Sequence, residues 1–484
     1  MSRPSGTGSR VFTTPRLDLL QLPWIGRFLH WRHARPSLQI LLGTVALIIV
    51  LHGLFGPDLA PKNLATLLTW VHYRGFLVLA LLALGNVFCM GCPLLLPRAL
   101  ARKLKSPTRR LPRVLRNKWI AIVAFVGVLF AYEAWDLWSD PRWTAGLILS
   151  FFASALVIDA SFRGAPFCKY VCPIGQFNFL SSMLSPFEVR ATDSEVCGTC
   201  TTKDCIRGRR DEQQVEVQRG CELALFLPRK VGNLDCTFCL DCVHACPHDN
   251  VSIAARLPGE ELSVDPVRSG IGRLSRRRDL AVLVTFFCFG ALLNAFGMVG
   301  PVYTLQQRMA AALDTNSEVL VLGLPFLAGL VVLPFAVLAI TGWLSLRLSR
   351  SQRRLTPHLT HMVWSLLPLG IGTWTAHYLF HFLTGLWTFV PVAQGAAEDL
   401  GYPIFGAPNW GRGGIHASLV QPIELGFLGL GLVGSWIVGS RLVRLGQERE
   451  SAKGFAPWAA LHLVIFVAAV WLMSQPMEMR GTFL

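Results

Sequence analysis

Nine long apolar runs, each near the roughly 20 residues that cross a bilayer, constrain this chain more than any other feature. They occupy 38–55, 73–96, 119–138, 143–160, 280–299, 319–346, 359–390, 423–438 and 458–473 of a 484-residue sequence. A chain that is 52% hydrophobic and only 15% charged is no soluble enzyme built on one large core. The net charge of +16 does not point to nucleic acid, because the basic residues stand in short runs beside apolar segments, where they set topology. The densest block runs from Arg98 through Arg109, Arg110, Arg113 and Arg116 to Lys118. Acidic residues such as Asp136, Asp140, Asp314, Glu398 and Asp399 mark the alternate loops. That alternation predicts nine transmembrane helices with the N-terminus inside and the C-terminus outside. The run 359–390 is long enough to tilt, or to finish in an outer interfacial helix.

Composition divides the chain further. Residues 1–37 read as a loosely structured basic tail, 38–187 as a four-helix membrane domain and 279–484 as a five-helix one. Between them, 188–278 turns polar and carries eight cysteines, the mark of an inserted soluble domain. The predicted fold class is therefore mainly α: a polytopic membrane protein with a small inserted α+β domain of ferredoxin-like kind.

Thirteen cysteines, twelve of them in closely spaced groups, indicate metal ligation in a reducing compartment rather than a disulfide framework. Cys236, Cys239, Cys242 and Cys246 follow the spacing C-x2-C-x2-C-x3-C, with Pro247 next, and this suits a loop wrapped around a 4Fe–4S cluster. Zinc prefers two separated knuckles, and three thiols at such short steps cannot pair among themselves without strain. Upstream lie Cys197, Cys200, Cys205 and Cys221. Two-cluster ferredoxins exchange their fourth ligands, which groups Cys221 with Cys236, Cys239 and Cys242, and Cys246 with Cys197, Cys200 and Cys205. The upstream half departs from the pattern in its widened step to Cys205 and in Glu222, where proline is expected.

A third set emerges only once topology is drawn. Cys89 and Cys92 end the second run on the inside, and Cys168 and Cys172 follow the fourth run on the same side. These four thiols suit a third metal centre or paired redox thiols, with neighbouring basic residues favouring the thiolate. Cys288, alone within an apolar run, reads as packing.

Four histidines sit in the last five runs: His361, His377 and His381 on the seventh and His462 on the ninth. A polar ring inside a membrane helix must be satisfied, so each is a candidate for a b-type haem or a quinone pocket, with His361 and His462 the pair for one iron. The sequence lacks a Cys-x-x-Cys-His haem attachment, a phosphate-binding loop and a dinucleotide fingerprint.

Cys168-Lys-Tyr-Val-Cys172-Pro173-Ile-Gly-Gln, the paired cysteine-proline motifs on membrane helices and the double cluster domain resemble the membrane polyferredoxins of the NapH and NosR type. The resemblance covers roughly residues 70 to 260. Both membrane motifs of that family are usually C-x3-C-P, so Cys89-x2-Cys92 is one residue short, and the last five runs exceed the smaller NapH-like plan. The resemblance implies an accessory electron carrier of anaerobic respiration in a bacterial inner membrane; together with the basic loops and the buried histidines, it leads to the expectation of a cytoplasmic ferredoxin domain passing electrons between two 4Fe–4S clusters and a membrane quinone or haem. It also implies partners: the quinone pool or a redox subunit, in a hetero-oligomeric complex acting as a quinone-linked oxidoreductase. Relatives that assist copper oxidases supply the rival expectation, a copper-reducing maturation factor using the four membrane-side thiols.

Overall fold

A computed structural model describes residues 17–104, 107–213, 215–403, 405–446 and 451–478. Residues 1–16 of the expected basic tail lie outside these residues, but 17–37 are described: Leu17 and Asp18 bond to the cysteine-rich domain, a short helix covers Pro23–His30, and the first membrane helix begins at Ala34.

Seven helices are long and apolar enough to cross a membrane: α1 (Ala34–Phe55), α2 (Leu64–Leu84), α4 (Pro141–Ser161), α5 (Arg278–Phe296), α6 (Glu318–Leu348), α8 (Ala417–Leu445) and α9 (Ala452–Met473). Two further predicted runs form helices of another kind. α3 (Trp119–Ala134) is apolar but shorter, and α7 (355–384) is built of three consecutive helical pieces. The tight turn of α7 over Val363–Leu366 precedes Pro368, whose ring would collide with the carbonyl of Trp364 in a regular helix. Of the two expectations for this run, the chain follows the second: α7 ends at Thr384, and a separate helix covers Phe389–Asp399. α2 begins and ends earlier than its apolar run. Gly85, at φ +91°, stops it ahead of Cys89, and a side chain there would strike Phe238.

The two predicted membrane domains share one core. α7 packs on α2, α5 and α8 and is buried along most of its length. Its backbone meets that of α8 at glycines: a Cβ on Gly431 would lie 3.0 Å from the Leu369 Cα, and one on Gly372 2.7 Å from the Phe427 carbonyl oxygen. Small residues permit this approach, and Gly75 of α2 accepts Phe382 in the same way.

The cysteine-rich domain contains two antiparallel pairs: β1 (Phe187–Ala191) against β2 (Val251–Ala255), with Val189 opposite Ile253, and a shorter one of Arg209–Arg210 against Glu216–Gln218. Its floor is a buried network in which Glu261 accepts from Arg256 at 3.0 Å and from Arg268 at 2.6 Å. The domain is fastened to the membrane helices by ion pairs. Arg35 of α1 reaches Asp241 at 2.9 Å, Lys118 reaches Asp235 at 2.6 Å, and Arg98 and Arg102 both hold Glu222. Arg98 also bonds Asp159 at the end of α4, at 3.1 Å. Several basic residues that read in sequence only as topological markers thus serve as buried tethers.

Candidate metal centres

The conformation of the Cys236 loop follows from what its short steps demand. Asp235, Phe238 and Leu240 all take left-handed backbone angles, φ +61°, +52° and +59°, which curl the chain so that alternate side chains turn inward. Leu240 then starts a short helix, Asp241–Ala245, that carries Cys242.

The upstream half repeats this geometry despite its altered spacing. Lys203, at φ +54°, precedes the short helix Asp204–Arg207 as Leu240 precedes its own, and Cys205 takes the place of Cys242. The wider step is two extra residues ahead of the same bend, Lys203-Asp204-Cys205 matching Leu240-Asp241-Cys242. The terminal cysteines match as well. Ala224 and Asp249, each three residues on, are left-handed, and the amides of Leu225 and Asn250 donate to Cys221 and Cys246 at 3.4 Å each. Glu222, the missing proline, is the residue gripped by Arg98 and Arg102.

Tertiary structure then gathers twelve thiols into three cavities. Cys197, Cys200, Cys205 and Cys246 line one, and Cys221, Cys236, Cys239 and Cys242 line the next. The third, about 220 Å³ and largely apolar, is lined by Cys89, Cys92, Cys168 and Cys172. The one-residue-shorter step is absorbed locally: Cys89 leaves a four-residue helix, Val87–Met90, while Cys168 sits in a widened turn over Phe167–Val171. The cavities share walls. Leu227 borders the first and second, and Thr237 borders the second and third. Asn86 strengthens the second join by donating to the Cys236 carbonyl at 2.9 Å.

Side-chain amides also point at sulfur. Asn250 donates to Cys197 and Asn178 to Cys89, both at 3.3 Å, and the Gly175 amide donates to Cys172 at 3.2 Å. Such bonds stabilise charge on sulfur. Burial acts the other way on the free thiols, pushing Cys89 up to about 11, Cys172 up to about 12 and Cys205 up to about 11. At Cys89, Cys92, Cys168 and Cys172 desolvation thus opposes the nearby positive charge and raises the free thiols. All twelve thiols are free, and so is Cys288, which packs against Gly370 and donates to the Leu366 carbonyl at 3.4 Å.

Among the described residues, no three His, Cys, Asp or Glu side chains converge closely enough to hold a single metal ion. A tetrahedral zinc ion would draw its sulfurs within about 2.3 Å of one point. Four thiols spread around a small cavity fit a multi-iron cluster instead.

The chain is similar to two proteins of Escherichia coli strain K12. It is 27% identical over 248 residues to "Ferredoxin-type protein NapH", a match covering 48% of this chain and 83% of that protein. The chain is a distant homologue of NapH. It is 28% identical over 96 residues to "Putative electron transport protein YccM", covering 19% of this chain and 23% of YccM. An uncharacterized protein of Methanocaldococcus jannaschii is 26% identical over 204 residues, 40% of this chain and 73% of that one. Neither a protein-family model nor a solved structure matches. The NapH match covers about half of the chain, so a ferredoxin-type membrane protein of electron transport describes the relationship, and the finer assignments rest on the geometry.

The histidines do not come together as the thiols do. The His462 Nε2 lies 3.0 Å from the Ser365 Oγ, one helical turn beyond His361, and a Cβ on Gly439 would lie 3.4 Å from its ring. His377 and His381 stack edge to face with ring centroids 5.0 Å apart, in the buried last turns of α7. His462, on α9, packs against Gly439 of α8, and its Nδ1 and the Nε2 of His361 are buried with no hydrogen-bond partner among the described residues.

Three residues with roles at these sites escaped sequence reasoning: Tyr73, Asn86 and Asn178. Tyr73 lines the apolar cavity, and its hydroxyl has no hydrogen-bond partner among the described residues. Nothing in their local sequence marks them, since each acts across the fold.

Proposed function

We propose that the chain is a membrane-bound iron–sulfur protein that carries electrons between its cysteine-rich domain and a quinone in the bilayer. The observation that supports this most is the row of three four-thiol cavities with shared walls at Leu227 and Thr237. Cys197, Cys200, Cys205 and Cys246 would hold one 4Fe–4S cluster, and Cys221, Cys236, Cys239 and Cys242 a second. Cys89, Cys92, Cys168 and Cys172 would hold a third centre. Such clusters supply reversible one-electron transfer.

The protein's own part is to position and insulate. Asn250, Asn178 and the amides of Leu225 and Gly175 stabilise charge on the sulfurs. The tethers Arg35–Asp241 and Lys118–Asp235 fix the domain against the helix ends, so that the row of cavities keeps one geometry. The third cavity extends along α1 and α4 to Val45, which is exposed on the bundle surface. A quinone ring entering from lipid there meets the Tyr73 hydroxyl as a hydrogen-bond donor. In this reading the quinone binds beside the thiols. The alternation of basic loops supports a cytoplasmic position for the cysteine-bearing end of the bundle.

Anaerobic purification with iron analysis and EPR tests the assignment. About twelve iron atoms per chain and 4Fe–4S signals are expected. Zinc or copper bound in place of iron overturns it, copper in favour of metal delivery. Tyr73→Phe should slow cluster reduction by a quinol analogue about tenfold while leaving reduction by dithionite unchanged.

A further inference from the structure

A cleft of about 770 Å³ lies between the membrane-side loops and the cysteine-rich domain. Arg110, Arg116 and Arg163 line it from the membrane side, and Arg207, Arg210 and Arg219 from the domain side. Two carboxylates also reach it, Glu216 and Glu222, and the second is already held by Arg98 and Arg102. Six guanidinium groups therefore face one further carboxylate. Like charges gathered around a concave wall focus the field and raise the local concentration of anions.

The back of the cleft gives this charge a purpose. Cys221 lines the cleft on one side and the cavity of Cys236, Cys239 and Cys242 on the other. Lys169 and Tyr170 stand beside it. The positive rim thus surrounds the place where a candidate centre lies one residue from the cleft.

We propose that this cleft is the docking port of an acidic, soluble one-electron carrier protein, a proposal that rests on Cys221 and its three partners holding an electron-carrying cluster. Guanidinium forks pair well with carboxylates and are suited to a transient, steered encounter. A nucleotide that gives up hydride would need a flavin to divide its electron pair, and the chain has no dinucleotide fingerprint to hold one. In the exchange, one electron leaves the reduced carrier and is gained by the group that Cys221 helps to hold. No bond forms or breaks, and no proton moves.

The test uses the full chain in nanodiscs of neutral lipid and an acidic 2Fe–2S ferredoxin as probe. Affinity comes from biolayer interferometry, and electron transfer from stopped-flow bleaching of the cluster absorbance. Affinity should fall about tenfold or more as salt rises from about 20 to about 300 mM. Arg207→Glu combined with Arg219→Glu should weaken binding at least about tenfold while leaving bleaching by reduced methyl viologen unchanged. Arg110→Gln with Arg163→Gln, on the opposite wall, should act in the same direction and decides the matter if the first variant misfolds. No binding at low salt, salt-independent binding, or variants that bind like the parent would overturn the proposal. So would tight binding of pyrophosphate or flavin mononucleotide that displaces ferredoxin and is lost in the same variants, which would assign the cleft to a small phosphate ligand. If viologen bleaches nothing, the cluster assignment itself fails, and that result is read separately from binding.

Discussion

The cysteine-bearing half of the molecule and the histidine-bearing half began with the same kind of signal, metal-ligating side chains on or beside apolar helices. They end differently. Twelve cysteines sit in turns, short helices and helix ends, where the backbone is free to bend, and the fold gathers them into three cavities in a row. His377, His381 and His462 lie inside regular helices, where neighbours are fixed by packing; the His462 Nε2 bonds Ser365, and its Nδ1 is buried without a partner among the described residues. A ligand type in a flexible loop is free to converge on a shared centre, whereas one within a packed helix serves the packing unless a gap is left for a cofactor.

The sharpest way to break this comparison is to remove one residue from each half. Cys236→Ser or Cys242→Ser should lose about a third of the bound iron and the matching EPR signal. His462→Ala should leave iron and visible absorbance unchanged and cost only about 1–3 kcal/mol of stability, through a lost hydrogen bond and a cavity. A haem band that disappears with His462 would reverse the assignment of the two halves. Next in size is Glu222→Gln. Without this carboxylate Arg98 and Arg102 keep their buried charge but lose a partner, which should destabilise the docked domain by about 3 kcal/mol, seen as faster amide exchange over 197–222. The smallest effect is expected of Asn178→Ala. Loss of its bond to Cys89 leaves the sulfur more electron-rich, so the potential of the third centre should drop by up to about 60 mV in a redox titration.

Much of the fold was legible in the sequence. Each of the nine apolar runs coincides at least in part with a helix, because apolar length is a local property that a bilayer reads directly, although only seven helices are long and apolar enough to qualify as spans. The boundaries were less legible where a single residue overrides a run, as Gly85 does for α2 and Pro368 for α7. Nor was the packing of α7 on α2 and α8 legible, because their glycine contacts depend on which helices face each other. In the upstream cysteine half, spacing alone looked irregular, yet the left-handed bend before Asp204 restores the geometry of its partner.

The sequence by itself determined that the chain is a helical membrane protein with a cysteine-rich insert, since hydropathy and cysteine spacing act within a few residues of one another. It also supplied the grouping of twelve thiols into three sets of four. Only the tertiary structure decided that these sets adjoin through Leu227 and Thr237, that Glu222 is a tether rather than a defect, and that one ring nitrogen of His462 bonds Ser365. Those outcomes depend on distances between residues far apart in the chain, and such distances are set by how the helices and the inserted domain pack.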